Sequence, residues 1–144
     1  MAEYTYNAVQ TVASGQNVLL NDSSPCTKGL VIHRNGSGIL TLRGPSANGC
    51  NRFARYQATF VANIAIPDGA TAVDPISIAL AINGEVLQTS LAIVTPAAAG
   101  DYFNVTSTAI INVPSGCCET IAIENASDAA INVQNSNLVI ARIA

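Results

Sequence analysis

The sequence predicts an all-β protein, an antiparallel two-sheet jelly-roll sandwich, and three observations carry that prediction. From Ala54 to Ile66 every second residue is apolar (Ala54, Tyr56, Ala58, Phe60, Ala62, Ile64, Ile66), while Arg55, Gln57, Thr59 and Asn63 occupy the alternate line. Side chains of a strand point alternately to opposite faces, so this period of two describes a long strand with one buried face and excludes an amphipathic helix. Shorter apolar segments recur along the chain, separated by clusters of Gly, Pro, Asn, Asp and Ser, as in a β-sandwich. With the long strand they number eleven, which suits a jelly roll of about eight to ten strands once irregular edges are counted.

In chain order the predicted strands are residues 4–12, 17–20, 29–34, 38–43, 53–66, 76–82, 85–94, 102–113, 119–124, 130–133 and 138–143. The turns between them have mechanisms. Asn35-Gly36-Ser37-Gly38 and Asn83-Gly84 tolerate positive φ and predict tight antiparallel reversals. Pro67-Asp68-Gly69 and Pro114-Ser115-Gly116 close the strands before them, because proline donates nothing to a ladder. Longer loops are expected at 44–51, 67–75 and 95–101; the Ala-rich stretch in the last is too short to nucleate a helix. Alternation assigns to the core Val31, Leu40, Leu42, Tyr56, Phe60, Ile64, Ile76, Ile78, Leu80, Ile82, Phe103, Val105, Ile111, Val113, Ile121, Ile123, Leu138 and Ile140. Leu30 with Ile32, Val86 with Leu87, and Val139 with Ala141 and Ile143 make some strands apolar on both faces, which calls for a second covering layer.

The 144 residues are expected to form one domain, 1–144, with a short N-terminal arm over about residues 1–12. Hydrophobic residues make up 49% of the chain and charged residues only 10%, far below the roughly 25% of an ordinary soluble domain. So little charge on so apolar a chain implies that part of its surface is covered by another subunit. The net charge is −3 and the six basic residues are scattered, so no basic stripe offers a nucleic-acid groove. No apolar run approaches the roughly 20 residues of a membrane span. Met1-Ala2-Glu3-Tyr4 lacks the basic start and apolar core of a secretory signal, which predicts synthesis in a cytoplasm.

Cysteines stand at 26, 50, 117 and 118, a spacing that fits no zinc template. A Cys26–Cys50 disulfide is geometrically conceivable at the open end of a predicted hairpin. Reduced, buried thiols are the favoured reading without an export signal. Cys117 and Cys118 are adjacent, so on an extended backbone they leave in opposite directions.

His33 is the sole histidine, and no Gly-x-Ser-x-Gly motif frames a nucleophile, so it reads as structural rather than catalytic. Asp22, Asp68, Asp74, Asp101, Glu119 and Asp128 fall in predicted loops. A glycosidase would add sugar-stacking groups to such carboxylates, yet there is no Trp and only 5% of residues are aromatic. The ordered spacing of a dedicated calcium loop is missing too. A jelly-roll cupin would need a cluster of metal-binding histidines. The expectation is a protein that is not an enzyme, with no catalytic residue, metal ligand or cofactor assigned. Four Asn-x-Ser/Thr triplets, beginning at Asn21, Asn35, Asn104 and Asn125, read as turn and edge residues.

Three stretches carry a family resemblance: the strand Ala54-Arg55-Tyr56-Gln57-Ala58-Thr59-Phe60, the turn and strand from Val113-Pro114-Ser115-Gly116-Cys117 to Ile123, and the closing Asn137-Leu138-Val139-Ile140-Ala141-Arg142-Ile143. They resemble the tumour necrosis factor and complement globular-head superfamily of jelly rolls, in its bacterial and bacteriophage surface-protein form. The chain departs from that pattern where Gly116-Cys117 stands in place of Gly-Asp. The resemblance implies a tight homotrimer around a threefold axis, with an apolar inner sheet wall. With the low charge it leads to the expectation of a homotrimeric display module on the virion surface, as head decoration or fibre tip. Glu3, Tyr4 and Tyr6 would contact a major capsid protein or fibre stalk. The alternative is a bacterial cell-surface or spore-coat adhesin head that binds a glycan or protein; it lacks the Gly-X-Y repeat of collagen-tailed adhesins.

Overall fold

The computed structural model describes residues 2–24, 30–45, 53–70, 73–116 and 118–144. Its strands, in chain order, are β1 (Ala2–Tyr6), β2 (Gln10–Val12), β3 (Asn21–Ser24), β4 (Val31–His33), β5 (Leu40–Arg43), β6 (Phe53–Ala65), β7 (Ile76–Ile82), β8 (Glu85–Val86), β9 (Ala92–Val94), β10 (Phe103–Pro114), β11 (Cys118–Asn125) and β12 (Ile131–Arg142). One sheet runs β10-β6-β12-β1-β3, with β2 pairing β12 beyond the end of β1. The other runs β4-β5-β11-β7, and β8 and β9 share the far edge of β7. Every pairing is antiparallel, and the two sheets form a jelly-roll sandwich.

The strongest alternation in the sequence becomes the middle of the first sheet. β6 pairs β10 without interruption from Phe53↔Pro114 to Ile64↔Phe103, and pairs β12 on its other side. Its even-numbered residues from Ala54 to Ile64 are all buried. They meet Leu40 and Leu42 of β5, Ile78 and Leu80 of β7, and Ile121 and Ile123 of β11 in one core. Each fully buried large aliphatic or aromatic side chain contributes about 1.5–3 kcal/mol relative to exposure. Tyr56 also ties the layers together at one end: its hydroxyl donates to the Arg43 carbonyl at 2.6 Å, with the Leu30 carbonyl at 3.3 Å.

Several expected elements are redrawn. The N-terminal residues are no free arm, for Ala2–Tyr6 is a strand paired on both sides, by β12 and by β3. The break between β1 and β2 faces an irregularity in β12 between Gln134 and Asn137, where Asn135 takes a positive φ of 54°. Asn135 Nδ2 donates to the Asn7 carbonyl at 3.4 Å and Ser136 Oγ to the Tyr6 carbonyl at 3.2 Å. The two predicted C-terminal strands are therefore one strand with a bulge. The predicted strand 85–94 leaves the ladder in a 3-10 turn at Gln88–Ser90. There the buried Ser90 hydroxyl takes the place of a backbone partner, accepting from Leu80 N at 2.9 Å and donating to the Leu87 carbonyl at 2.7 Å. Residues 17–20 hold only a bridge, Asn17↔Glu124, and the strand forms just after them as β3.

The hairpin turns form as predicted. Asn83 and Gly84 both adopt positive φ, 53° and 82°, between β7 and β8. Of the expected core, Phe103 is 40% exposed and Ile82 half-buried. Phe103 has the inward parity of its partner Ile64, but it is the first residue of an edge strand.

Candidate functional site

The residues that alternate with the core define the outer face of the β10-β6-β12-β1 sheet. Register places Gln57 beside Ile110 and Ala141, Thr59 beside Thr108 and Val139, and Val61 beside Thr106 and Asn137. Glu3 and Thr5 of β1 continue the last two rows. From Gln57 to Asn63, from Asn104 to Ile110 and from Asn137 to Ala141 no residue is charged; the charges at the margins of the face are Glu3 on β1 and Arg55 on β6.

The polar groups of this face largely satisfy each other. Asn104 Nδ2 donates to Asn63 Oδ1 at 3.0 Å, and Asn63 Nδ2 to Asn135 Oδ1 at 3.3 Å, a carboxamide chain across three strands. The Thr106 and Thr108 hydroxyls donate to the Phe60 and Ala58 carbonyls at 3.0 and 3.1 Å, and the Thr59 and Thr108 hydroxyls lie 2.9 Å apart. Groups already bonded within their own sheet lose little when water is removed, so covering this face costs less than its polar composition suggests. Sequence reasoning overlooked this lattice. Its signal was the Thr/Asn/Gln line between the apolar residues of β6.

The predicted contact trio divides. Glu3 is half-buried and accepts from Asn137 Nδ2 at 3.2 Å, and Tyr6 is half-buried. Tyr4 is not a surface contact: it is 1% exposed, because Ala2 and Tyr4 share the inward line of β1. Its ring lies edge-on to His33 with centroids 4.8 Å apart. Burial, and then the negative charge of Asp22, hold the Tyr4 phenol above its ordinary pKa.

His33 is structural in its geometry. Its side chain is 1% exposed, Nδ1 meets Asp22 Oδ1 at 2.5 Å, and Nε2 lies 2.8 Å from the Ser37 carbonyl. A carbonyl only accepts, so Nε2 is placed to donate to Ser37, and Nδ1 shares its hydrogen bond with the Asp22 carboxylate. Because β3 edges one sheet and β4 the other, this pair fastens the two layers along one side. Elsewhere, Glu119 accepts from Asn83 Nδ2, and burial raises the Glu124 carboxyl above the usual carboxylate range. Among the described residues no three His, Cys, Asp or Glu side chains gather as a metal site. Cys26 and Cys50 lie outside the described residues, as does Cys117; Cys118 is exposed at the start of β11.

Fold and face together define a class, a jelly-roll sandwich whose outer sheet face carries charge only at its margins. Solved structures similar to this chain include the globular domain of zebrafish complement 1qA, at 11% identity and a TM-score of 0.48 over 96% of each chain. Pika GITRL is similar at 11% identity and a TM-score of 0.44, over 94% of this chain and 100% of that one. The C-terminal domain of EclA, a sugar-binding protein, is similar at 12% identity and a TM-score of 0.42, over 94% of this chain and 79% of that one. No family model and no curated protein matches the sequence.

Proposed function

We propose that this chain is a non-enzymatic binding and display module, a jelly roll that joins two further copies of itself through the outer face of the β10-β6-β12-β1 sheet. The trimer would stand on the surface of a bacteriophage particle, as a head decoration or fibre tip. The observation that carries the self-association is the internally hydrogen-bonded face, charged only at its margins, which spans the longest strands of the molecule. Val61, Ile110, Val139 and Ala141 give it apolar area to bury, at about 25 cal/mol per Å² before the costs of association. Three copies rather than two, and the particle surface, follow from the resemblance of the β6, β11 and β12 sequences. Glu3 and Tyr6 of β1 remain the candidate contacts to a capsid protein or stalk.

Light scattering at micromolar concentration tests the assembly. The expected mass is three times the 14.8 kDa of one chain, and Thr108→Lys, which sets a charge in the middle of the face, should return single chains that are still folded. A wild-type protein that runs as one chain overturns the assembly. Co-sedimentation with phage particles stripped of their decoration tests the location, and failure to bind them removes the virion reading.

A further inference from the structure

At the end of the sandwich formed by residues 66–70, 73–76 and 126–130 lies a cavity of about 700 Å³, within the range that holds small ligands. Ile66 and Ile76, both nearly fully buried, form its apolar bed beside Pro67 and Pro75, and Asp74 and Asp128 bring carboxylates to it. The wall bearing Asp128 is held from within. The buried Asn125 side chain donates to the Val12 and Ala129 carbonyls at 3.0 and 2.9 Å and accepts from Ser127 N at 2.9 Å. Ser127 Oγ is bonded to the backbone N and O of Ser77, at 2.7 and 3.1 Å. The opposite wall is pinned where Gly100 N donates to the Ile66 carbonyl at 2.8 Å.

The charged residues of the described lining are Asp74 and Asp128. Asp74 and Asp128 are exposed, and among the described residues neither has a hydrogen-bond or ion-pair partner and none that lines the cavity is cationic. Carboxylates without a counter-charge beside an apolar bed select a cation that also carries hydrocarbon. A bare calcium ion would want about six to eight oxygens, and a quaternary ammonium would want an aromatic cage; the lining offers neither. We infer that the cavity binds an aliphatic primary ammonium, its head at Asp74 and Asp128 and its alkyl stem along Ile66, Ile76 and the prolines. A lysine side chain of a partner protein and a free polyamine share that chemistry. This site lies apart from the proposed self-association face, so either can fail without the other.

Amide chemical shifts of the whole chain, titrated separately with Nα-acetyl-lysine N-methylamide and with cadaverine, test the inference. At least one amine should shift the Ser127–Ala130 amides saturably, and the amine that saturates at the lower concentration names the source. Asp74→Asn and Asp128→Asn should each weaken binding about tenfold while leaving the unfolding midpoint unchanged. The inference is overturned by any of four results: neither amine binds there, pentanol shifts the same amides equally, binding survives both substitutions, or calcium alone saturates the site.

Discussion

Tyr56 shows what a single residue contributes beyond its burial. Alternation on β6 places the ring in the core, and burial pushes its phenol above the ordinary range, with the Arg142 charge offsetting part of the effect. The hydroxyl then reaches the Arg43 carbonyl in the other sheet, a link no sequence pattern announces. Tyr56→Phe keeps the ring and removes the link, so it should cost about 1 kcal/mol in urea unfolding. A variant as stable as wild type would show that the link contributes nothing. Tyr4 teaches the converse. Ala2, Tyr4 and Tyr6 alternate, so the strand pattern is present at the N-terminus, but a stretch this short does not distinguish an arm from a strand paired on both sides. His33 was legible as structural because no nucleophile motif surrounds it, whereas its partner Asp22, eleven residues away, became visible only with the sheets in place.

At the scale of elements, regular strands followed their alternation and the irregular edges did not. β6, β7 and β10 lie close to their expected spans because each is long enough for period two to stand out. The 3-10 turn at Gln88–Ser90 and the bulge at Asn135 depend on which backbone groups a neighbouring strand leaves unpaired, which is a tertiary matter. Asn125 makes the point at the end of β11. Its triplet Asn-Ala-Ser reads as a turn, yet the side chain is fully buried and organises the loop that follows. Asn125→Ala leaves two carbonyls and one amide without their partner and should destabilise the fold by about 2–3 kcal/mol. Hydrogen exchange should show the loss concentrated at residues 126–130, and protection unchanged there would contradict this role.

For the whole molecule, the two buried tyrosines set an alkaline limit. Tyr4 and Tyr56 have folded-state pKa values raised above the ordinary phenol value, chiefly through burial. A raised value means that the fold favours the protonated phenol. Their contribution to stability is therefore complete below about pH 10 and is lost as pH rises through the raised values. Urea midpoints should hold level from about pH 8 and fall steeply above about pH 10, with a shallower fall in Tyr56→Phe. An equal slope in that variant would assign the loss elsewhere. The exposed sheet face also belongs to this scale: low charge pointed to a covered surface, while the particular surface depends on which strands stand side by side.

By itself the amino-acid order determined the all-β class, the long central strand, the hairpin turns and most of the core. These follow from side-chain direction along one strand and from the φ values that Gly, Asn and Pro permit, both local properties of the chain. Only the tertiary structure decided that β1 lies inside a sheet, that His33 and Asp22 fasten two edges, that Asn125 holds a loop, and that Asp74 and Asp128 share a cavity. Each of these joins residues distant in sequence, and their meeting is fixed by strand order and register, which alternation leaves open.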